Sequence, residues 1–442
     1  MIDATSFATS LQQAVDGRML VHPRACEAYA IAGCTPKLVL SPASVEEASR
    51  TAQLIADEGE SLVVRGAGTK SWRPPVPEAV FAVLDMTRCE GIVAHEPGDL
   101  TVTVRAGTKL AHLQSALSRH GQFLPCDAPF ASHATIGGML AAATSGSLTL
   151  RFGGIRDNTL GMRVALSDGT VAYSGSKVVK SVAGYDAYKL FIGSLGTLGV
   201  IGEATLKVAP LAAEDGLLAA RFRSHRDAAG AAIDLARSNL FVWSASLHDG
   251  ASTKRIDAIP AVASPNDWLL LVRCGGSPAT VRRQIGGSAR ICKARGALEL
   301  FEAPAREVGS IWAQVAELAG GAAYPVRDFV VAKFSTLPTA SAELIDALLV
   351  AWPAAEIVAH PALGVAFAHA PVDRSSFDAA RLSALWSSLK HREFNAAFLS
   401  APPGISRGFT VPITAPIELQ RRLKHALDPR GTFDPGRGAA GL

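Results

Sequence analysis

Ser61-Leu62-Val63-Val64-Arg65-Gly66-Ala67-Gly68-Thr69-Lys70 is a run of β-branched and apolar residues that empties into glycines. Ser61–Arg65 reads as a strand. Upstream, Lys37-Leu38-Val39-Leu40 reads as another, and Ser44-x-x-Glu47 is a capping box opening a helix that runs towards Glu58 and stops at Gly59. Strand, helix and strand make a β-α-β unit, and the loop at its end is where chemistry first enters. Gly66-Ala67-Gly68-Thr69-Lys70-Ser71 starts like G-x-G-x-x-G, but Ser71 replaces the third glycine and Trp72-Arg73-Pro74-Pro75 follows in place of a helix. The Rossmann fingerprint therefore fails. What survives is a chain of small residues whose N–H groups can converge on an anion, each charge-assisted bond contributing about 1.5–3 kcal/mol. The alternative is an ordinary tight turn after a strand.

Two further glycine blocks lie downstream. Ala134-Thr135-Ile136-Gly137-Gly138-Met139 precedes Arg151-Phe152-Gly153-Gly154-Ile155-Arg156-Asp157-Asn158, and Gly193-Ser194-Leu195-Gly196-Thr197-Leu198-Gly199-Val200-Ile201 leads into a strand. Glycine and alanine there allow backbone to approach a flat ligand, or a helix to pack closely on a strand. Around them the sequence predicts a helix near Ser6–Val15, strands at Ala79–Leu84, Gly91–His95 and Leu100–Val104, and a helix at Lys109–Arg119.

Past Pro210 the texture becomes a repeated α+β rhythm. The first set has strands Leu217–Phe222, Phe241–Leu247 and Trp268–Val272 with helices Asp227–Arg237 and Ala279–Arg283. The second has strands Asp328–Phe334, Glu356–His360, Gly364–His369 and Asn395–Leu399 with helices Ala342–Trp352 and Phe377–Leu389. Two such sets predict a duplicated ferredoxin-like sheet with helices on one face. A last helix, Ile417–Ala426, ends at Asp428-Pro429-Arg430-Gly431.

The 442 residues are 48% hydrophobic and 19% charged, enough for two or three packed domains. A net charge of +4 leaves no footprint for a polyanion, which argues against nucleic acid. Six scattered cysteines, without C-x-x-C, write neither an iron–sulfur cluster nor a zinc site, and they read as reduced thiols in a cytoplasmic protein. No secretory leader, transmembrane run, G-x-S-x-G elbow, H-E-x-x-H or Walker A motif is legible.

The order and wording of these segments, with Val178-Val179-Lys180-Ser181-Val182-Ala183-Gly184-Tyr185-Asp186 and the tail Leu427-Asp428-Pro429-Arg430-Gly431-Thr432-Phe433-Asp434-Pro435-Gly436-Arg437, resemble the FAD-binding domain of the vanillyl-alcohol-oxidase (PCMH) type. Within that type they are most similar to the FAD-binding subunits of glycolate oxidases. The resemblance implies an α+β chain: a helical segment over 1–35, a two-part PCMH-type FAD-binding domain over 36–211, a ferredoxin-like substrate or cap domain over 212–415, and a helix and tail over 416–442 returning to the FAD domain. It implies that Arg65, Gly66, Ala67, Gly68, Thr69 and Lys70 wrap the FAD pyrophosphate. Thr135, Gly137 and Gly138 would line the flavin side, Gly153 and Asp157 the ribityl and phosphate path, and Ile201 would touch the cofactor through its backbone. Thr69, Lys70 and Ser71 stand where some relatives carry a tethering histidine, so FAD is expected to be noncovalent.

The resemblance further implies a 2-hydroxy-acid substrate, a paralogous catalytic flavoprotein subunit and an iron–sulfur subunit, with attachment to the inner face of the membrane only through partners. One departure matters. Related dehydrogenases carry H-x-G-D-G-N-x-H and a later E-H-G, whereas the stretch here is His360-Pro361-Ala362-Leu363-Gly364-Val365-Ala366-Phe367, with Phe367 at the second histidine. No metal is expected. His360, His369 and Arg327 remain as catalytic candidates, the histidines because imidazole titrates near neutrality; the alternatives are hydrogen-bonded core or surface histidines in an apolar strand pair and, for Arg327 and Lys333, solvated strand-edge charges. Lys333 could hold a carboxylate or stabilise reduced flavin, and Lys180 with Asp186 could form an ion pair or a cofactor contact. Two other readings stand: a lone FAD-dependent oxidoreductase acting on a hydroxy acid or sugar alcohol, and a non-catalytic scaffold.

Overall fold

Leu62–Arg65 lies parallel to Ala82–Asp85, which in turn lies parallel to Leu38–Leu40, so the third strand in sequence is inserted between the first two. Met19–Leu20 adds an antiparallel edge. The computed structural model describes residues 4–74, 77, 79–176, 184–259, 264, 266–372, 394–402 and 417–436. The helix expected at Phe377–Leu389, Lys180 and the tail's Arg437 lie outside them.

Ser44 caps helix Val45–Asp57 by accepting the Glu47 N–H at 3.1 Å. The Glu47 carboxylate accepts the Ala43 N–H at 3.0 Å and pairs with Arg18. Val45, Ala48, Ala52 and Ile55 bury one stripe of this helix against Leu40, Leu62, Leu84 and Val200. Val200 belongs to a second, antiparallel sheet of five strands in the order Ile92–Glu96, Thr101–Arg105, Val200–Lys207, Thr159–Ala165, Val171–Gly175. The helix thus cements the two parts of the N-terminal half.

The C-terminal half is one eight-stranded antiparallel sheet. Glu214–Phe222, Ser244–His248, Trp268–Gly276 and Glu299–Ala303 form one set, and Phe329–Ser335, Glu356–His360, Val365–Pro371 and Asn395–Ser400 the other. In each set the fourth strand lies outermost, beside the first, with the third and second inward, and the two second strands join the sets through Leu247↔Ala359 and His248↔Val358. The duplicated α+β expectation matches this order.

Two details differ from the sequence reading. Helix Pro278–Ala294 runs well past Arg283, because Gly287 lets it approach Leu240 closely. Helix Ala305–Ala319 packs on the face opposite to the helices His225–Arg237, Pro278–Ala294 and Ser341–Ala351, so the helices do not share one face. That opposite face is the one turned to the N-terminal half. Phe123 and Phe152 from the first half meet Trp243 from the second, and Glu317 of helix Ala305–Ala319 accepts the N–H groups of Phe130 (3.0 Å) and Ala131 (3.4 Å).

Candidate functional site

The loop after Leu62–Arg65 forms one wall of a cradle of about 530 Å³, lined by Arg65, Gly66, Ala67, Gly68, Thr69 and Lys70 with Thr135 and Gly138 opposite. A neighbouring hollow adds Gly137, Leu195, Gly196, Gly199 and Ile201. No Cβ fits at Gly66, where it would collide with Thr135 Oγ1, and Gly68 is in the left-handed region (φ +75°) beside the Arg65 guanidinium. Thr135 caps helix Ile136–Ala141, its hydroxyl accepting the Gly138 N–H at 3.2 Å. Arg65 is held over the Tyr29 ring at 4.9 Å. The result is a groove walled by backbone, suited to an extended anionic ligand.

Through Thr69, Lys70 and Ala142 the cradle continues into a cleft of about 880 Å³ between the two halves. Trp72, Arg73, Phe130 and residues 142–146 line it from the first half, and Gly320, Lys333, Phe367 and Leu399 from the second. Three cations meet there. Burial, reinforced by Arg73, pulls the Lys70 ammonium down to about 8, and the same two causes lower Lys333. No hydrogen bond or ion pair holds Lys333 among the described residues.

Among the described lining residues the one carboxylate, Asp127, is committed elsewhere. It accepts Ser147 N–H (2.9 Å), Ser147 Oγ–H (2.6 Å), Leu148 N–H (3.2 Å) and Trp312 Nε1–H (3.3 Å), and burial raises its pKa. Phe130, Ala143 and Leu195 line these cavities in left-handed backbone conformations (φ +59°, +46°, +58°), which cost energy outside glycine and cluster at functional sites.

Gly153 (φ +76°) and Asp157 form a turn next to the cleft, the carboxylate accepting the Gly154 N–H at 2.8 Å, while Ser145 of the lining accepts the Ile155 N–H at 3.2 Å. His360 and His369 sit inside the second half, 2% and 0% exposed. Burial pulls both down to about 4, His360 with the help of nearby Lys333, so both imidazoles are neutral. His369 stacks on Tyr324 at 4.0 Å, and His360 meets Phe367 edge-on. Neither lines the cleft. Arg327 is exposed and outside the lining, and Asp186 pairs with Lys189 at 2.7 Å. Among the described residues no group of three or more His, Cys, Asp or Glu converges as a metal site, and no described helix is long and apolar enough to cross a membrane.

Arg73, Phe130 and Glu317 were not singled out from the sequence. Arg73 directly follows the glycine loop, a visible signal, whereas Phe130 and Glu317 owe their place to the meeting of the two halves.

Residues 36–174 match the family model described as FAD binding domain. The chain is 28% identical over 274 residues to the glycolate oxidase subunit GlcD of Bacillus subtilis, covering 62% of this chain and 58% of that protein. It is 38% identical over 161 residues to the glycolate oxidase subunit GlcE of Escherichia coli, covering 36% and 45%. The chain thus spans about half the length of these curated relatives. The solved structure of p-cresol methylhydroxylase with substrate bound superposes with a TM-score of 0.77 at 14% identity, covering 99% of this chain and 96% of that one, which establishes the shared fold.

Proposed function

We infer what the chain does from the premise that its residues 36–174 are an FAD binding domain. We propose that it is an FAD-dependent oxidoreductase acting on the CH–OH group of a small 2-hydroxy acid, as the FAD-binding subunit of a glycolate oxidase-like complex. One observation carries the reading: a cradle walled by backbone runs without interruption into a cation-lined cleft that the second half closes.

The cradle fits the dinucleotide, since a Cβ at Gly66 would meet Thr135 and one at Gly68 would meet the Arg65 guanidinium, and the small residues of the loop line the groove. Arg65 to Lys70, Thr135, Gly137, Gly138 and Ile201 would hold FAD, with Gly153 and Asp157 shaping the turn beside them. No histidine, cysteine or tyrosine is among the described lining residues, which favours noncovalent binding. When bound, the flavin supplies a two-electron acceptor for hydride.

The protein's part is electrostatic and steric. Lys333 and Arg73 grip the substrate carboxylate, and the positive field of the three cations stabilises negative charge that reduction brings into the cleft. Phe130, Phe367 and Leu399 exclude water from the acid's carbon skeleton. Lys70 contributes to the grip only while protonated, so acid binding weakens as pH rises through about 8.

Electrons must then leave through another molecule, because the described cysteines are scattered and form no cluster that could hold a one-electron centre. In the complex a paralogous catalytic flavoprotein would complete the oxidising site, this flavin would relay or support electron transfer and an iron–sulfur subunit would take the electrons on, in keeping with the likeness to two differently named glycolate oxidase subunits. The cation-lined cleft also favours a second reading, in which the chain oxidises its acid alone. The anaerobic visible spectrum of the purified protein, before and after glycolate or D-lactate, decides. Flavin bands that persist until the partner subunits are added support the complex; bands that bleach in the isolated chain support the lone enzyme; a protein that takes up no FAD overturns both.

A further inference from the structure

The segment Asp428–Asp434 lies against the strand that delivers the glycine loop. Leu62 donates its N–H to Thr432 O at 2.8 Å and accepts from Asp434 N at 2.9 Å, a parallel bridge that places Phe433 beside Leu62. Among the described residues Leu62–Arg65 is otherwise the open edge of its sheet. Phe433 is fully buried in the core shared by Leu40, Val45, Leu62, Leu84 and Val200.

A second tie runs to the opposite wall. Lys424, in helix Ile417–Leu427, donates from Nζ to Thr197 O (2.7 Å), Phe433 O (2.8 Å) and the Asp428 carboxylate (2.6 Å). All three ammonium donors have a partner. Asp428, its side chain fully buried, also accepts the N–H groups of Thr432 (3.1 Å) and Phe433 (2.8 Å). Thr197 belongs to the 193–199 turn whose Leu195, Gly196 and Gly199 line the cradle, and Gly196 approaches the side chain of Val64. One short segment therefore grasps both walls of the cradle, the strand by backbone pairing and the turn by an ammonium.

Resting on the reading of the cradle as an FAD site, we propose that Lys424 is a positioning residue for the cofactor, and that the 417–434 segment is a clamp setting the gap between the 65–70 loop and the 193–199 turn. Lys424 touches no lining position itself; it acts through Thr197. A clamp that holds the walls at binding distance is coupled to the ligand in both directions, so FAD must tighten the segment as the segment tightens FAD.

The test compares the wild-type chain with Lys424→Met, the double variant Lys424→Met/Asp428→Asn, which leaves no unpaired buried charge, and Arg430→Ala, which removes only the surface pair with Asp57 on the same segment. FAD titration by flavin fluorescence should show affinity lowered about tenfold or more in both Lys424 variants, within the range usual for linked sites, and unchanged in Arg430→Ala. Amide exchange of the wild type should slow at Phe433 and Asp434 when FAD is added, a readout that needs no variant to fold. Folded Lys424 variants that bind FAD like the wild type, or exchange at those two amides that ignores FAD, overturn the clamp. A wild-type chain that binds no FAD overturns instead the reading on which it rests.

Discussion

At Gly66 a single hydrogen atom keeps the cradle open, because a methyl in its place would meet the Thr135 hydroxyl that caps the next helix. Overpacking of this kind costs typically about 1–3 kcal/mol. Gly66→Ala should weaken FAD binding by roughly 10- to 100-fold at that cost, and adding Thr135→Ala should restore part of it; a fluorescence titration in which the single variant binds normally would refute the close approach. Lys333 makes a different kind of contribution, being half-buried and without a hydrogen-bonded partner among the described residues. Lys333→Met should raise the KM for a 2-hydroxy acid by roughly 10- to 100-fold, the scale of a lost charge-assisted bond, with FAD affinity unchanged. Equal losses for cofactor and acid would remove Lys333 from the substrate's share of the cleft. The glycine loop stood out in the sequence because a strand emptying into small residues makes either an anion nest or a tight turn, and only the surrounding walls show a cradle there. His360 and His369 drew attention as titratable residues, yet the apolar strands that carry them already pointed to core or surface histidines, and the sheet buries both.

Among the elements, helix Ala305–Ala319 does the most to make one site out of two halves. Its Glu317 carboxylate holds the Phe130 and Ala131 N–H groups, its Trp312 indole reaches Asp127, and Glu317 also favours the charged form of Lys70. Glu317→Gln should weaken that docking by about 1 kcal/mol, the net worth of an ordinary hydrogen bond. Amide exchange at Phe130 and Ala131 should accelerate accordingly, and the Lys70 pKa should fall below its present value of about 8, since a stabilising negative charge is gone. Exchange at wild-type rates would mean the halves are held elsewhere. This helix and the strand Glu299–Ala303 before it escaped the sequence reading for a physical reason. Glu299-Leu300-Phe301-Glu302-Ala303 is an edge strand with both glutamates towards solvent, and its pattern is too short and mixed to announce a strand. The short apolar strands around the glycine loop, and the helix with its Ser44 cap, were legible because local chemistry and tertiary burial agree there. Where only tertiary contact decides, as along Pro278–Ala294 with its internal Gly286-Gly287, the boundary fell short.

For the molecule as a whole, three buried imidazoles in one sheet set a vulnerability to acid. Burial draws His248 down to about 3 and His360 and His369 to about 4, whereas in the unfolded chain each takes a proton near 6.5. The unfolded state therefore binds more protons between those limits, and stability falls as pH drops from about 6.5 towards 4. Asp127 and Asp249, whose carboxyls burial raises, oppose this, because the folded chain takes up those two protons before the unfolded chain does. Urea unfolding from pH 7 to 4 should show the loss, and His360→Phe should flatten the slope relative to wild type by up to about 3 kcal/mol over the window, at 1.36 kcal/mol per pH unit of displaced titration; an unaltered slope would exonerate His360. The pairing of Leu62 with Phe433 has a consequence of another order. Ribosomes add about 5–20 residues each second, so the glycine-bearing strand emerges roughly twenty seconds to over a minute before the segment that covers its edge. Through that interval the strand, paired with Ala82–Asp85 on one side, displays its other edge to chaperones and to mispairing, and the cradle is unfinished. A message truncated before codon 433 yields a chain that never covers that edge of its first sheet.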